Sequence, residues 1–400
     1  MSTSARFVAF AIAGAVACAE HPARADPPPS PRQLAELGRA IFFDPGLSDP
    51  PGTSCASCHD PARAFSGTNG SRRGVPRGSR PGHFARRTSP SLLYLRYVPR
   101  FRFYQEGDDP QSEPYGGLFW DGRVDTIAEL ARQPLLNPDE MNNRDGGAVA
   151  ARVGQAPYGA AFRGAFGAAL DDPDATLAAV GRALEAFLIT DEMAPFSSPY
   201  DDFVRGRTPL APLAAEGLRL FKDRLKGNCA SCHVMDDRAR DPARSLFTDY
   251  GYEAVGVPRN TAAPPRAPDL GLCERTDTNA PTSDPMYCIN FRTPSLRNVA
   301  VRESFMHNGA FRSLRDVVAF YATRATNPRR WYPSGVPFDG VPRRYRGHVN
   351  RTSPPYDRHV GDPPPLDDHE VDAIVAFLQT LTDARYARLA ERTRLRINQD

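Results

Sequence analysis

Cys55-Ala56-Ser57-Cys58-His59 and Cys229-Ala230-Ser231-Cys232-His233 are the same five residues standing at two places in a chain of 400. In a Cys-x-x-Cys-His segment the two thiols add across the vinyl groups of a haem, and the histidine on the same turn reaches the iron as its proximal ligand. Two copies predict two covalently bound c-type haems, the first held by Cys55, Cys58 and His59 and the second by Cys229, Cys232 and His233. With 7 Cys and 8 His in the chain, chance supplies roughly 0.002 such motifs. A zinc site or a redox Cys-x-x-Cys is the competing reading, but neither requires a histidine directly after the second cysteine.

The sequence around each motif is also duplicated. Leu34-Ala-Glu-Leu-Gly38-Arg-Ala-Ile-Phe42 precedes the first and Leu213-Ala-Ala-Glu-Gly217-Leu-Arg-Leu-Phe221 the second, both amphipathic with Gly four residues before Phe. Such a segment packs against a terminal helix in a cytochrome c fold. After each motif come a Pro-Ser-Leu turn, at Pro90 and Pro294, and an aromatic-rich stretch closing on Asp121-Gly122 or Asn308-Gly309. Each half then ends in an apolar-periodic helix, Leu177 to Leu188 and Val371 to Leu381. Alternating β-branched runs are scarce. The expected fold is mainly α, loop-rich with few short strands: two tandem cytochrome c-like domains, at 27–195 and 205–390, joined where Pro195 to Pro199 breaks the chain.

Arg6, the apolar run Phe7 to Ala19 and Ala23-Arg24-Ala25 form a secretory signal over 1–25, too short to span a bilayer. No later segment is apolar enough to cross a membrane, so an exported, oxidising compartment is expected, the periplasm of a Gram-negative cell. Lipidation at Cys18 is disfavoured because its upstream Ala15 makes a poor lipoprotein site. The net charge is +3, lysine stands only at 222 and 226, and the arginines are interleaved with acids. That pattern excludes a nucleic-acid footprint. Cys273 and Cys288 are left over; outside the cytoplasm they are expected to pair, closing a loop of about 16 residues worth on the order of 3 kcal/mol. Two buried thiols are the alternative.

The chain resembles the di-haem cytochrome c peroxidase and MauG superfamily over nearly its whole mature length. The resemblance rests on both CASCH copies, Phe119-Trp120-Asp121-Gly122-Arg123, Leu136-Asn137-Pro138-Asp139-Glu140-Met141 and Phe291-Arg292-Thr293-Pro294-Ser295-Leu296-Arg297-Asn298-Val299. It implies that the first haem is the peroxide site and the second an electron-transfer haem, with Trp120 between them. It places the acid/base carboxylate on Glu140, which would move a proton from the near to the leaving oxygen of peroxide. Pro134 falls on a family pocket position, and the distal Gln of many members is Leu130 here. The second haem's sixth ligand, counted fourteen residues from His307, is Tyr321, as in the MauG-like branch; Met306 and Met286 are the competing donors. A phenolate favours ferric and higher iron, whereas a thioether raises the potential. His83 lies in the loop that supplies a resting-state ligand in ordinary peroxidases, at a different spacing. The family's interdomain calcium uses an Asn where this chain has Thr88, which argues against that ion.

The resemblance thus implies an oxidoreductase acting on hydrogen peroxide. Its electrons would come from a small redox protein or from a side chain of a protein substrate. A non-catalytic di-haem electron carrier is the alternative, and Glu140 together with a vacant first iron argues against it.

Overall fold

Gly38 and Gly217 have no room for a side chain. In the computed structural model, a Cβ on Gly38 would lie 1.8 Å from the Ala183 carbonyl oxygen, and one on Gly217 would lie 1.9 Å from that of Ala373. Each glycine presses a helix backbone onto a later helix, and these two crossings organise the molecule. The structure describes residues 28–105, 112–236, 238–275, 284–332 and 334–391. The signal segment and Cys18 lie outside them.

Among the described residues the α-helices are α1 (Pro31–Phe42), α2 (Cys55–Cys58), α3 (Ile127–Leu136), α4 (Gly146–Gln155), α5 (Gly159–Phe166), α6 (Pro173–Leu188), α7 (Pro199–Val204), α8 (Pro212–Lys222), α9 (Leu314–Thr323) and α10 (Asp368–Gln379). The strands pair into two small antiparallel ladders: β1 (Arg102–Gln105) with β2 (Ser112–Tyr115), and β3 (Tyr252–Glu253) with β4 (Phe291–Arg292). The expectation of a mainly helical, loop-rich fold is met. None of the described helices is long and apolar enough to cross a membrane.

Helix starts are written in side chains. Ser30 with Gln33, Thr126 with Glu129 and Asp367 with Glu370 form reciprocal capping boxes on α1, α3 and α10. Gly38 lets α1 cross α6, burying Leu37, Ile41 and Phe42, while Gly217 lets α8 cross α10, burying Leu218, Leu220 and Phe221. Gly181 brings α6 against α3 in the same way, its virtual Cβ standing 2.2 Å from the Ala128 carbonyl.

Two apolar clusters result. One is built almost wholly from residues 37–194 and the other from 200–381. A buried polar seam joins them. Asp383, just beyond α10, accepts from the Tyr94 hydroxyl at 2.7 Å, from Asn298 Nδ2 at 2.7 Å and from the Ser197 amide at 2.9 Å. Cys273 and Cys288 form a disulfide with a Cα separation of 4.7 Å.

Candidate haem sites

Each CASCH segment closes a single turn, in which the His59 amide donates to the Cys55 carbonyl at 2.9 Å and that of His233 to the Cys229 carbonyl at 2.8 Å. That turn puts two thiols and an imidazole on one small surface. His59 Nδ1 stands 3.1 Å from the carbonyls of both Phe65 and Pro90, and His233 Nδ1 stands 2.9 Å from that of Phe247. A ring nitrogen facing carbonyls must carry the proton, so Nε2 keeps its lone pair. Burial lowers the His59 pKa to about 4 and lowers that of His233 as well. Both rings are therefore neutral donors at physiological pH.

The anchoring carbonyls are positioned by a repeated device. Phe65 and Phe247 both adopt left-handed backbone, with φ of 52° and 56°. The turn before each is held by a serine hydroxyl, Ser91 to the Ala64 carbonyl and Ser295 to that of Leu246, both at 2.6 Å. These are the serines of the two Pro-Ser-Leu turns. Burial pushes the thiols of Cys55, Cys58 and Cys229 up to about 12 and that of Cys232 to about 11.

The duplication continues beyond the motifs. Leu118 bridges Val124 and Phe305 bridges Phe311 around Gly122 and Gly309, whose φ values are 67° and 69°. α3 and α9 then start five residues after their glycines. Twelve residues after Gly122 stands Pro134, and twelve after Gly309 stands Tyr321. The duplicated sequence therefore carries a pyrrolidine, with no free donor atom, in one half and a phenol in the other at equivalent positions.

A cavity of about 1190 Å³ is lined by Cys229, Cys232, His233, Trp120, Tyr321 and Arg302, among others. Tyr321 sits close enough to the Cys232 and Cys229 thiols to feel them, and its pKa is raised, first by burial and then by those sulfurs. Its ring stacks on Tyr356 at 5.9 Å. Met306 lines the same cavity, whereas Met286 is 47 % exposed on the surface. Trp120 is buried, its indole donating to the Thr88 carbonyl at 3.0 Å. Thr88 in turn donates its hydroxyl to the Met306 carbonyl at 2.9 Å and so serves as a strut.

Glu140 belongs to the first motif's surroundings, where its charge acts on Cys58. Burial raises its pKa, opposed by Arg123 and by a 2.9 Å hydrogen bond from Asn137 Nδ2. Pro134 lies inside α3, which runs on to Leu136, and the chain then folds back so that the Met141 amide reaches the Pro134 carbonyl at 3.1 Å and the Glu140 amide that of Asn137 at 3.0 Å. His83 packs on this turn, with Nδ1 2.9 Å from Asp139 Oδ1 and the side chain about one-third exposed. Leu130 packs against the first apolar cluster.

Sequence reasoning missed the buried arginines. Arg87 is clamped by Asp121 at 2.5 Å and Asp269 at 2.6 Å beside Trp120, Arg297 pairs with Asp201 at 2.6 Å, and Arg302 lines the cavity. Their partners lie up to 213 residues away, so no local pattern reveals them.

A family model for di-haem cytochrome c peroxidase matches residues 32–209. The methylamine utilization protein MauG of Paracoccus denitrificans is 38% identical over 383 residues, 92% of each chain. The chain belongs to the di-haem cytochrome c peroxidase family. It is therefore an oxidoreductase, and membership implies two c-type haems and a peroxide substrate. Among solved structures, the diheme peroxidase BthA of Burkholderia thailandensis is 52% identical with a TM-score of 0.84, covering 90% of both chains. A Tyr-to-Met variant of BthA matches at 53% identity and a TM-score of 0.86, over 89% of this chain and 87% of that one. The residues present fit the family's cofactor: paired thiols, an imidazole locked in its metal-binding tautomer and, at the second motif, a large and mainly apolar cavity.

Proposed function

We propose that this chain is an exported di-haem oxidoreductase that cleaves hydrogen peroxide at the haem of Cys55, Cys58 and His59. It draws electrons through the haem of Cys229, Cys232 and His233 from a small redox protein or from a side chain of a protein substrate. Haem supplies an iron that binds and reduces the peroxide oxygen and passes electrons between the two sites. The observation that carries the reading is the asymmetry within the duplication. Pro134, which has no donor atom, stands where the second half has Tyr321. With haem bound, His59 would be the first iron's protein ligand and Pro134 could offer it none, while His233 and Tyr321 would both be available to the second.

Glu140 accepts the proton of the near peroxide oxygen and delivers it to the far one, which departs as water. Its burial suits both halves of that task, because a carboxylate whose pKa is raised by burial is a stronger base toward the near oxygen's proton than an ordinary one and can still pass that proton on. Asn137 fixes the carboxylate's direction. Trp120 lines the second cavity, while Arg123, three residues on, acts on Glu140. That arrangement supports Trp120 as the aromatic step between the sites. Export rests on the Phe7 to Ala19 run, and the division into units at 27–195 and 205–390 rests on the two apolar clusters.

Stopped-flow mixing of the ferric holoprotein with hydrogen peroxide tests the proposal. A rapid spectral change saturating at one peroxide per chain is expected. Indifference to peroxide would show an electron carrier instead.

A further inference from the structure

This chain pairs its buried guanidinium groups with care. Arg297 has Asp201 at 2.6 Å, Arg87 has Asp121 and Asp269, and Arg275 has Asp125 at 3.2 Å. Arg324 lies over the Tyr356 ring at 3.7 Å and feels Glu253, and Arg292 feels Tyr252, Tyr250, Asp121 and Asp249. Arg302 has none of these. Its Nε donates to the Ser304 carbonyl at 3.3 Å and its Nη2 to that of Ser89 at 3.2 Å, both neutral acceptors. No carboxylate among the described residues comes within ion-pair distance. The adjacent Glu303 turns to Arg63 at 3.1 Å and Thr68 at 3.2 Å instead.

A guanidinium carries five N–H donors, and two are spent here. The group lines the cavity of the second motif, and its charge also reaches His59 of the first. Burial alone acts on it, lowering its pKa to about 10, so it is still a cation at neutral pH. A half-buried guanidinium that lines a cavity without a counter-ion is unfavourable, so an anion belongs beside it. The group this cavity fits carries two carboxylate arms, and the planar guanidinium fork matches a carboxylate in two-point geometry. We propose that Arg302 is the counter-ion of a haem propionate at the junction of the two haem sites. The proposal rests on the two-haem reading above.

The test is redox titration of the holoprotein, following each haem by its own spectrum, for the unaltered chain, Arg302→Gln and Arg302→Lys. In the Gln variant the haem that owns the propionate should fall by at least tenfold in its reduction equilibrium, about 59 mV for one electron. The Lys variant should recover most of that fall. The haem that moves identifies the source, first or second. The nearby titratable groups are His59, held neutral by burial, and Glu303, paired with Arg63. Freed from its partner, the propionate should take up a proton at higher pH than when paired, so the Gln variant's potential should fall further as pH rises through that titration. Unchanged potentials with both haems attached would overturn the proposal, as would a fall that is independent of pH or reversed by added chloride. Fewer than two haems in the unaltered chain by pyridine haemochrome assay would instead defeat the haem reading itself. If the Gln variant loses haem, the Lys variant decides. A shifted propionate band in its redox-difference infrared spectrum supports the pairing, and an unmoved band overturns it.

Discussion

At the scale of single residues, the chemistry depends on how burial sets protonation. In the proposed role Glu140 acts as a base only when ionised, and burial raises its pKa. Its charged fraction is therefore lost, as pH falls, at a higher pH than for an ordinary carboxyl group. The rate of peroxide cleavage should decline on the acid side with an apparent pKa above the usual carboxylate range, measured by stopped flow from pH 4 to 8. Glu140→Gln should cut that rate by about 10² to 10⁴ with both haems in place; full turnover would remove the residue from the mechanism. With the phenol as the proposed ligand, Tyr321→Met exchanges a hard anionic donor for a thioether, so the second haem's potential should rise by tenfold or more in its reduction equilibrium, about 59 mV. An unchanged potential would mean that the phenol is not on the iron.

At the scale of elements, α1 with α6 and α8 with α10 are pressed so close that no side chain fits at Gly38 or Gly217. Gly38→Ala and Gly217→Ala must each push two helix backbones apart, at a cost of about 1–3 kcal/mol or more from overpacking. Thermal unfolding of the holoproteins should show a lower Tm for both. The equivalent change at Gly164, where a Cβ meets nothing within 4 Å, should leave Tm near its starting value. This layer was the most legible in the sequence, because a Gly four residues before a Phe on an amphipathic stretch already names a helix that approaches another closely. The cysteine and histidine pairs were legible for the same reason: their geometry lies within one turn. The carbonyls of Phe65 and Phe247 that orient the imidazoles were not, since they depend on left-handed turns fixed by serines 27 and 49 residues away.

At the scale of the whole molecule, the seam between the two apolar clusters is polar and buried. Such contacts join distant parts of the chain, which explains why the arginine and aspartate partners could not be read from it. Arg297→Met leaves the Asp201 carboxylate buried without its ion pair and should cost about 3–5 kcal/mol. Tyr94→Phe removes the 2.7 Å bond to Asp383 and should cost about 1.5–3 kcal/mol. Chemical denaturation of each holoprotein checks both values. On the proposed reading, the duplicated architecture makes two haem sites from one plan, and the exchange of Pro134 for Tyr321 sets them apart. Electron paramagnetic resonance of the resting ferric holoprotein tests that exchange most directly. The account predicts one high-spin signal that is altered by peroxide and one low-spin signal that changes character in Tyr321→Met. Two low-spin signals, both from nitrogen or sulfur ligation on each side and both untouched by peroxide, would contradict it.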